Sequence, residues 1–181
     1  MSAPTVTKSQ VDLYNIRGLH GAWANIVVIP RGDYVELIID SDFGAFAYAY
    51  FCHGGNYKQF LISCDFDYLM RKFRGKDYKI PDPSKYEKEI KDAIIESRQG
   101  EQLTKDEARE AWNDMLNTEH DRGDLFFAEL YDHKLFEKVF GDHEGLPSAK
   151  KVDPQCQSFW DKCWLPFVEE LKQEMAAEPA K

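Results

Sequence analysis

The chain has 181 residues, of which 43% are hydrophobic and 14% aromatic, enough apolar surface to form a packed core and to exclude global disorder. This length suits one domain, or one domain with a sizeable insertion. The net charge of −9 disfavours nucleic acid and membrane headgroups as partners, because their surfaces are also negative.

The negative charge is concentrated in the middle of the chain. Residues 1–80 hold 9 Lys and Arg against 8 Asp and Glu, and residues 146–181 hold 5 against 6. Residues 81–145 hold 9 against 18. We therefore predict a sheet-and-helix core at 1–80, an acidic helical segment at 81–145, and a C-terminal helix within 146–181 that packs on the same domain.

The first part of the chain has the pattern of β-strands. Four runs rich in β-branched and aromatic residues are separated by turn signals, and they are Val11 to Ile16, Ala22 to Ile29, Tyr34 to Ile39 and Phe43 to Phe51. The second run is predicted to stop at Pro30, and the short Arg31-Gly32-Asp33 loop favours an antiparallel hairpin. We predict an N-terminal antiparallel sheet of three to four strands.

The last of these runs has one large face and one small face. Phe46, Tyr48 and Tyr50 alternate with three alanines, so the two sets point to opposite sides of the sheet. The large face is expected to cover a core or a helix. The small face would allow another surface to approach closely.

Helical periodicity begins at Asn56 and recurs, between connecting loops, in the rest of the chain. Asp65 is a suitable N-cap for a helix that ends at Gly75, and Leu125 to Phe140 is expected to form one or two buried helices. Asp153 followed by Pro154 should open the final helix, with Pro166 kinking or restarting it. Strands followed by about five to six helices indicate an α+β fold.

The acidic segment has the signals of a helical hairpin. Ser84 with Glu87, and Thr104 with Glu107, have the spacing of capping boxes. Each opens a stretch with helical spacing of apolar residues. Two such signals in succession predict two adjacent helices that carry much of the acidity.

Two short motifs connect the chain to known proteins. LYNIRGL at residues 13–19 and CDFDYL at residues 64–69 resemble segments of small uncharacterised accessory proteins encoded by phages and prophages of enterobacteria. The resemblance covers residues 11–75 and implies that the acidic hairpin and the C-terminal helices are additions to a shorter core. It also implies a setting in which many proteins bind and block host proteins, and it supplies no catalytic residues.

The cysteines do not indicate a metal site or a catalytic one. Cys52 and Cys64 are separated by eleven residues, and Cys156 and Cys163 by six, whereas structural zinc sites pair ligands two to four residues apart. Cys52 and His53 are neighbours on a strand and should point to opposite faces. We expect no metal, no cofactor and buried, reduced thiols.

The cellular location is expected to be the cytoplasm of the bacterial host. Met1 to Gln10 is polar and lacks the apolar stretch of a signal peptide. Apolar runs such as Ala45 to Cys52 fall well short of the ~20 residues that span a bilayer. Membrane contact is therefore not expected.

The leading hypothesis is a non-enzymatic, phage-derived accessory protein that binds a host protein with a basic surface. A defence nuclease complex, inhibited in an anti-CRISPR-like manner, is a candidate target. The predicted contacts are the acidic residues of the hairpin: Glu87, Asp92, Glu96, Asp106, Glu110 and Asp114.

Two other classes of function stay open from the sequence. One is a small enzyme with a site at the sheet–helix junction, built from His20, Cys52, His53 and Asp65. The other is a nucleic-acid binder that stacks bases on the aromatic strand face, although direct nucleic-acid binding is disfavoured by the net charge. A homodimer formed through an exposed strand edge is compatible with all three hypotheses.

Overall fold

The computed structural model describes residues 4–18, 21–119, 124–141 and 146–177, without the side chains of His53 and Asp124. The chain divides into two compact units. Unit 1 comprises Met1–Lys79 and Val152–Lys181, and unit 2 comprises Ile80–Lys151. The earlier division into 1–80, 81–145 and 146–181 stays a prediction about domain organisation.

The secondary structure confirms the α+β class. The strands are β1 (Asp12–Arg17), β2 (Trp23–Arg31), β3 (Tyr34–Ser41), β4 (Gly44–Phe51), β5 (Lys79–Pro81) and β6 (Lys150–Val152). The helices are α1 (Tyr57–Ser63), α2 (Phe66–Arg74), α3 (Pro83–Gln99), α4 (Lys105–Leu116), α5 (Asp124–Asp132), α6 (Phe136–Phe140), α7 (Pro154–Phe159) and α8 (Leu165–Ala177). In the described ranges, no helix is long and apolar enough to cross a membrane.

The N-terminal strands form one antiparallel sheet in the order β1-β2-β3-β4. Val35, Leu37 and Ile39 occupy alternate positions of β3, so their side chains point to the same face of the sheet. All three are buried, and we call this face the inner face. β2 runs past Pro30 to Arg31, so the prediction that it stops at Pro30 is wrong. Pro30 is tolerated because β1 pairs only as far as Val28 and no donor is needed beyond that point.

The inner face of the sheet carries the core of unit 1. Phe46 stacks on Phe73 of α2, with ring centroids 5.2 Å apart, and lies 4.8 Å from Phe159 of α7. Trp164, which precedes α8, is fully buried in the same cluster. The indole nitrogen of Trp164 and the hydroxyl of Tyr50 have no hydrogen-bond partner among the described residues.

The final helix begins as predicted but continues differently. The carboxylate of Asp153 accepts a hydrogen bond from the backbone N–H of Gln155 (2.8 Å), and Pro154 occupies the first turn. A π-helical turn at Trp160–Trp164 joins α7 to α8, which begins at Leu165, so the kink or restart predicted at Pro166 takes the form of a change of helix type just before the proline. The wider turn relieves the clash that a proline ring makes with the carbonyl four residues earlier.

Unit 2 has a separate core built from α3, α4, α5 and α6. Ile90, Ala111 and Phe126 are fully buried within it. The capping box of Thr104 and Glu107 is confirmed at the start of α4.

The start of α3 differs from the sequence prediction. α3 begins at Pro83 with Asp82 as N-cap, so the predicted capping box of Ser84 and Glu87 is wrong. The hydroxyl of Ser84 instead donates to the carboxylate of Asp82 (2.6 Å). Because proline is favoured at the first helical position, Pro83 places the helix start ahead of Ser84.

Candidate functional site

The hairpin of α3 and α4 carries all six acidic residues predicted to contact a partner. On α3, residues three or four positions apart share one side of the helix. Asp92 and Glu96 therefore lie together, and Glu89 lies on the same side one turn earlier. We call Glu89, Asp92 and Glu96 the acidic flank.

The acidic flank borders an open groove of about 610 Å³, completed by residues of α3, α6 and the segment before β6. The carboxylate of Glu89 accepts hydrogen bonds from the backbone N–H groups of Ser148 (2.7 Å) and Ala149 (3.3 Å). Asp92 and Glu96 are exposed, and neither forms an ion pair with a described residue. Their charge is therefore available to a partner.

On α4, three acidic residues face basic residues from the α5–α6 region. The Lys138 ammonium lies 2.6 Å from the Glu107 carboxylate, and the Lys134 ammonium lies 2.5 Å from that of Glu110. His133 Nε2 lies 3.4 Å from the carboxylate of Asp114. We call these three contacts the ion-pair ladder. They neutralise Glu110, and they neutralise Asp114 when His133 is protonated.

The remaining two predicted contacts lie apart from these groups. Glu87 pairs with Lys91 one turn later on α3. Asp106 is exposed in the first turn of α4 and forms no ion pair with a described residue. The six acids therefore do not form one continuous surface, and Asp92, Glu96 and Asp106 retain unpaired charge among the described residues.

A second groove, of about 560 Å³, runs between α3 and α4. Trp112 and Ile95 line it and are 39% and 44% exposed. Its cationic side chains come from Arg98, Lys105 and Arg109, none of which forms an ion pair within the described ranges. We call this the hairpin groove. It is an exposed apolar patch, and such patches mark interaction sites when they are large.

Trp112 shares the helical spacing of apolar residues on α4 with Ala111 and Met115, so the sequence predicts a buried ring at this position and misses the hairpin groove. Lys91 lies over the Trp112 ring, 5.6 Å from the centroid. One signal was available. Arg109 and Trp112 are three positions apart, so they share a side of α4 that the stripe centred on Ala111 and Met115 does not fill.

The ion-pair ladder makes a testable prediction about acid titration. The Lys138 ammonium, together with the backbone and hydroxyl of Thr104, lowers the pKa of Glu107 to about 2 from 4.5. Because the folded pKa is depressed, this contribution to stability is present above about pH 4.5 and is lost as the pH falls through about 2. Replacing Lys138 with methionine should raise the midpoint of Glu107 toward 4.5, as followed by carboxyl NMR.

The matched control for this titration is Lys134→Met, which removes a lysine from the same ladder but not the partner of Glu107. It should leave the midpoint of Glu107 nearly unchanged. A midpoint near 4.5 in the unaltered protein would contradict the prediction.

Of the four residues predicted for an enzyme site, the structure describes the side chains of Cys52 and Asp65. Cys52 and Cys64 are buried, and burial raises the pKa of both thiols, that of Cys64 to about 12. A thiol with a raised pKa stays protonated at neutral pH and is therefore a poor nucleophile. The Asp65 carboxylate accepts the N–H of Tyr68 (2.7 Å) as a helix cap. His20 and the side chain of His53 lie outside the described residues.

The aromatic strand face does not present its rings to a nucleic acid. Phe46 and Tyr50 are buried, and Lys72 of α2 lies over the half-buried ring of Tyr48, 5.2 Å from its centroid. The prediction that the large face covers a core is confirmed. Stacking of bases on this face is excluded, because the helices of unit 1 occupy it.

Comparison with known proteins assigns the chain to a family. A family model named Phage_phiTE_072 and described as a phage family matches residues 4–174. The chain belongs to this phage family. The match includes the acidic hairpin and the C-terminal helices as well as residues 11–75, and their status as additions to a shorter core stays a prediction. No curated protein and no solved structure matches the chain.

Proposed function

We propose that this member of the phage family is a non-enzymatic accessory protein that binds a host protein in the bacterial cytoplasm. Inhibition of a defence nuclease complex is the proposed outcome. The resemblance of the LYNIRGL and CDFDYL motifs to prophage proteins of enterobacteria supports this setting. The proposed binding surface is the helical hairpin of unit 2.

The observation that carries the proposal is the exposed, unpaired charge of Asp92 and Glu96 in the acidic flank. Unit 2 holds 18 Asp and Glu against 11 Lys and Arg, whereas unit 1 holds 14 against 12. Asp92 and Glu96 lie on one side of α3 with no described cation to neutralise them. A partner with a basic surface would complement this flank, and electrostatic complementarity chiefly increases the association rate and the specificity.

The hairpin groove supplies the apolar contact that charge alone does not. Interfaces derive most of their binding energy from a few buried side chains, in which Trp and Arg are enriched. Trp112 and Arg109 meet this description on the same hairpin as the acidic flank. All six predicted acidic contacts stay within the proposal, but the structure supports Asp92, Glu96 and Asp106 more than Glu87, Glu110 and Asp114.

The test is capture of partners from host lysate with the tagged full chain, followed by mass spectrometry. A host protein should be retained at about 0.1 M salt and lost at about 1 M, where the screening length falls from about 10 Å to about 3 Å. The double variant Asp92→Lys with Glu96→Lys should lose this protein. Direct titration of the purified partner should then show a slower association rate for the variant.

The matched control makes the same change in charge on unit 1. Asp161 and Glu169 are exposed, and the variant Asp161→Lys with Glu169→Lys should retain the partner. Identical sets of captured proteins for both double variants would refute the assignment to the acidic flank.

A further inference from the structure

The β1 strand has a free edge in the described part of the chain, where β2 is its sole partner. The N–H of Gly18 donates to the carbonyl of Ala22 (2.7 Å). In the antiparallel register, hydrogen-bonded pairs alternate from this point, so Tyr14 and Ile16 direct their backbone groups toward β2. The N–H and C=O groups of the alternate residues point to the free edge, and these residues are Leu13, Asn15 and Arg17.

This edge borders a groove of about 660 Å³ whose opposite wall is α8. Residues 13–17 line one wall, and Pro166, Phe167, Glu170 and Glu174 line the other. The Tyr14 ring packs edge-on against Phe167, with centroids 5.0 Å apart, and its hydroxyl donates to Glu174 (3.0 Å). The two walls are therefore held in place by direct contacts. We call this the edge groove.

The edge groove is acidic on its helical wall. Glu170 is exposed and forms no ion pair with a described residue. Glu174 contacts Tyr14 and also pairs with Lys58 (3.2 Å). The guanidinium of Arg17 is directed back over the sheet, where it donates to the carbonyls of Ile16 and Ala24 and to the side chain of Asn25, so it does not neutralise Glu170.

We propose that the edge groove binds an extended peptide segment of a partner protein by strand addition to β1, with a lysine or arginine of that peptide at Glu170. Strand addition takes its affinity from backbone hydrogen bonds and its specificity from alternate side chains. The exposed backbone groups of Leu13, Asn15 and Arg17 supply the hydrogen bonds. Glu170 supplies the specificity for a basic side chain.

The charge of the groove decides against a second copy of this chain as the occupant. Strands paired about a two-fold axis would place the same surface of each copy opposite itself. The α8 helices would then meet, and Glu170 of one copy would approach the acidic residues of α8 on the other. Like charges repel in this arrangement, whereas a basic peptide is attracted.

The test begins with a library of random peptides of about nine residues, long enough to cover the six residues of β1. The library is selected on the tagged full chain. Enriched peptides should alternate β-branched residues with positions that include Lys or Arg. Synthetic copies of these peptides, measured by fluorescence polarisation, should bind about tenfold more weakly to the variant Glu170→Lys.

Two controls separate strand addition from general attraction of cations. Glu169 is also exposed on α8 but pairs with Lys172 and does not line the groove, so Glu169→Lys should leave the affinity nearly unchanged. N-methylation along a peptide should abolish binding at every second amide and be tolerated at the others, because only alternate N–H groups face the strand.

The proposal is overturned if no peptide is enriched over the Glu170→Lys variant, or if enriched peptides lack a basic residue. It is also overturned if N-methylation shows no alternation. The edge groove lies on unit 1 and is tested without the acidic flank variants, so its failure is distinguishable from failure of the proposed function.

Discussion

Replacing Trp164 with alanine is expected to lower the free energy of unfolding of unit 1 by about 3–5 kcal/mol. The side chain is fully buried and contacts the rings of Phe73 and Phe167 at centroid distances of 6.3 Å and 5.3 Å. Alanine would leave a large cavity, because well-packed neighbours relax only partly into the space. Urea denaturation followed by circular dichroism measures the change.

Two comparisons identify the origin of this loss. Trp164→Phe should lower the free energy of unfolding much less than Trp164→Ala, because phenylalanine keeps most of the side-chain volume. It also removes a buried indole N–H that lacks a hydrogen-bond partner among the described residues. Trp112→Ala removes the same side chain from the hairpin groove and should cost less than about 1 kcal/mol. Equal losses for the two alanine variants would contradict the burial of Trp164.

Replacing Phe126 with alanine is expected to destabilise unit 2 by about 3–5 kcal/mol. The ring is fully buried and stacks on Tyr86, with centroids 5.3 Å apart and planes 12° apart. Because the buried residues of the two units form separate clusters, the loss should be local. Amide hydrogen exchange should show reduced protection in α3 and α4, with protection in β2 and β3 retained.

The neighbouring residue provides a matched control for this variant. Leu125 is 46% exposed, and Leu125→Ala should change protection little. If Phe126→Ala lowered protection in the sheet by the same factor as in the hairpin, the two units would unfold together. The prediction of a separate acidic helical segment would then be wrong.

The sheet was predictable because its rules are local. Val35, Leu37 and Ile39 alternate with side chains that face the other side, so one buried face is encoded residue by residue. The starts of α2 and α4 were also predictable from local sequence. The N-cap side chains of Asp65 and Thr104 accept hydrogen bonds from the backbone N–H groups three residues later.

The start of α3 was mispredicted because two N-cap candidates compete, and Pro83 together with a distant contact favours the earlier one. Ser84 and Asp82 are both good N-cap residues, and Asp82 is buried beside Lys151 (3.6 Å), a partner 69 positions away. The contact with Lys151 cannot be read from the neighbouring sequence.

The candidate site was predictable in composition and not in arrangement. The acids of the hairpin can be identified from the sequence, but the lysines that neutralise Glu107 and Glu110 come from the α5–α6 region. Only the fold shows that Asp92 and Glu96 keep their charge. The hairpin groove likewise depends on the side of α4 that α3 leaves uncovered.

The division of unit 1 into two stretches of chain has a consequence for the order of events on the ribosome. The four strands of the sheet are made first, but the buried side chains of Trp164, Phe167 and Leu171 are translated after all of unit 2. Until then the inner face of the sheet lacks part of its cover. Unit 2, which is continuous, has all its core residues earlier, so the nascent chain can complete its second core before its first.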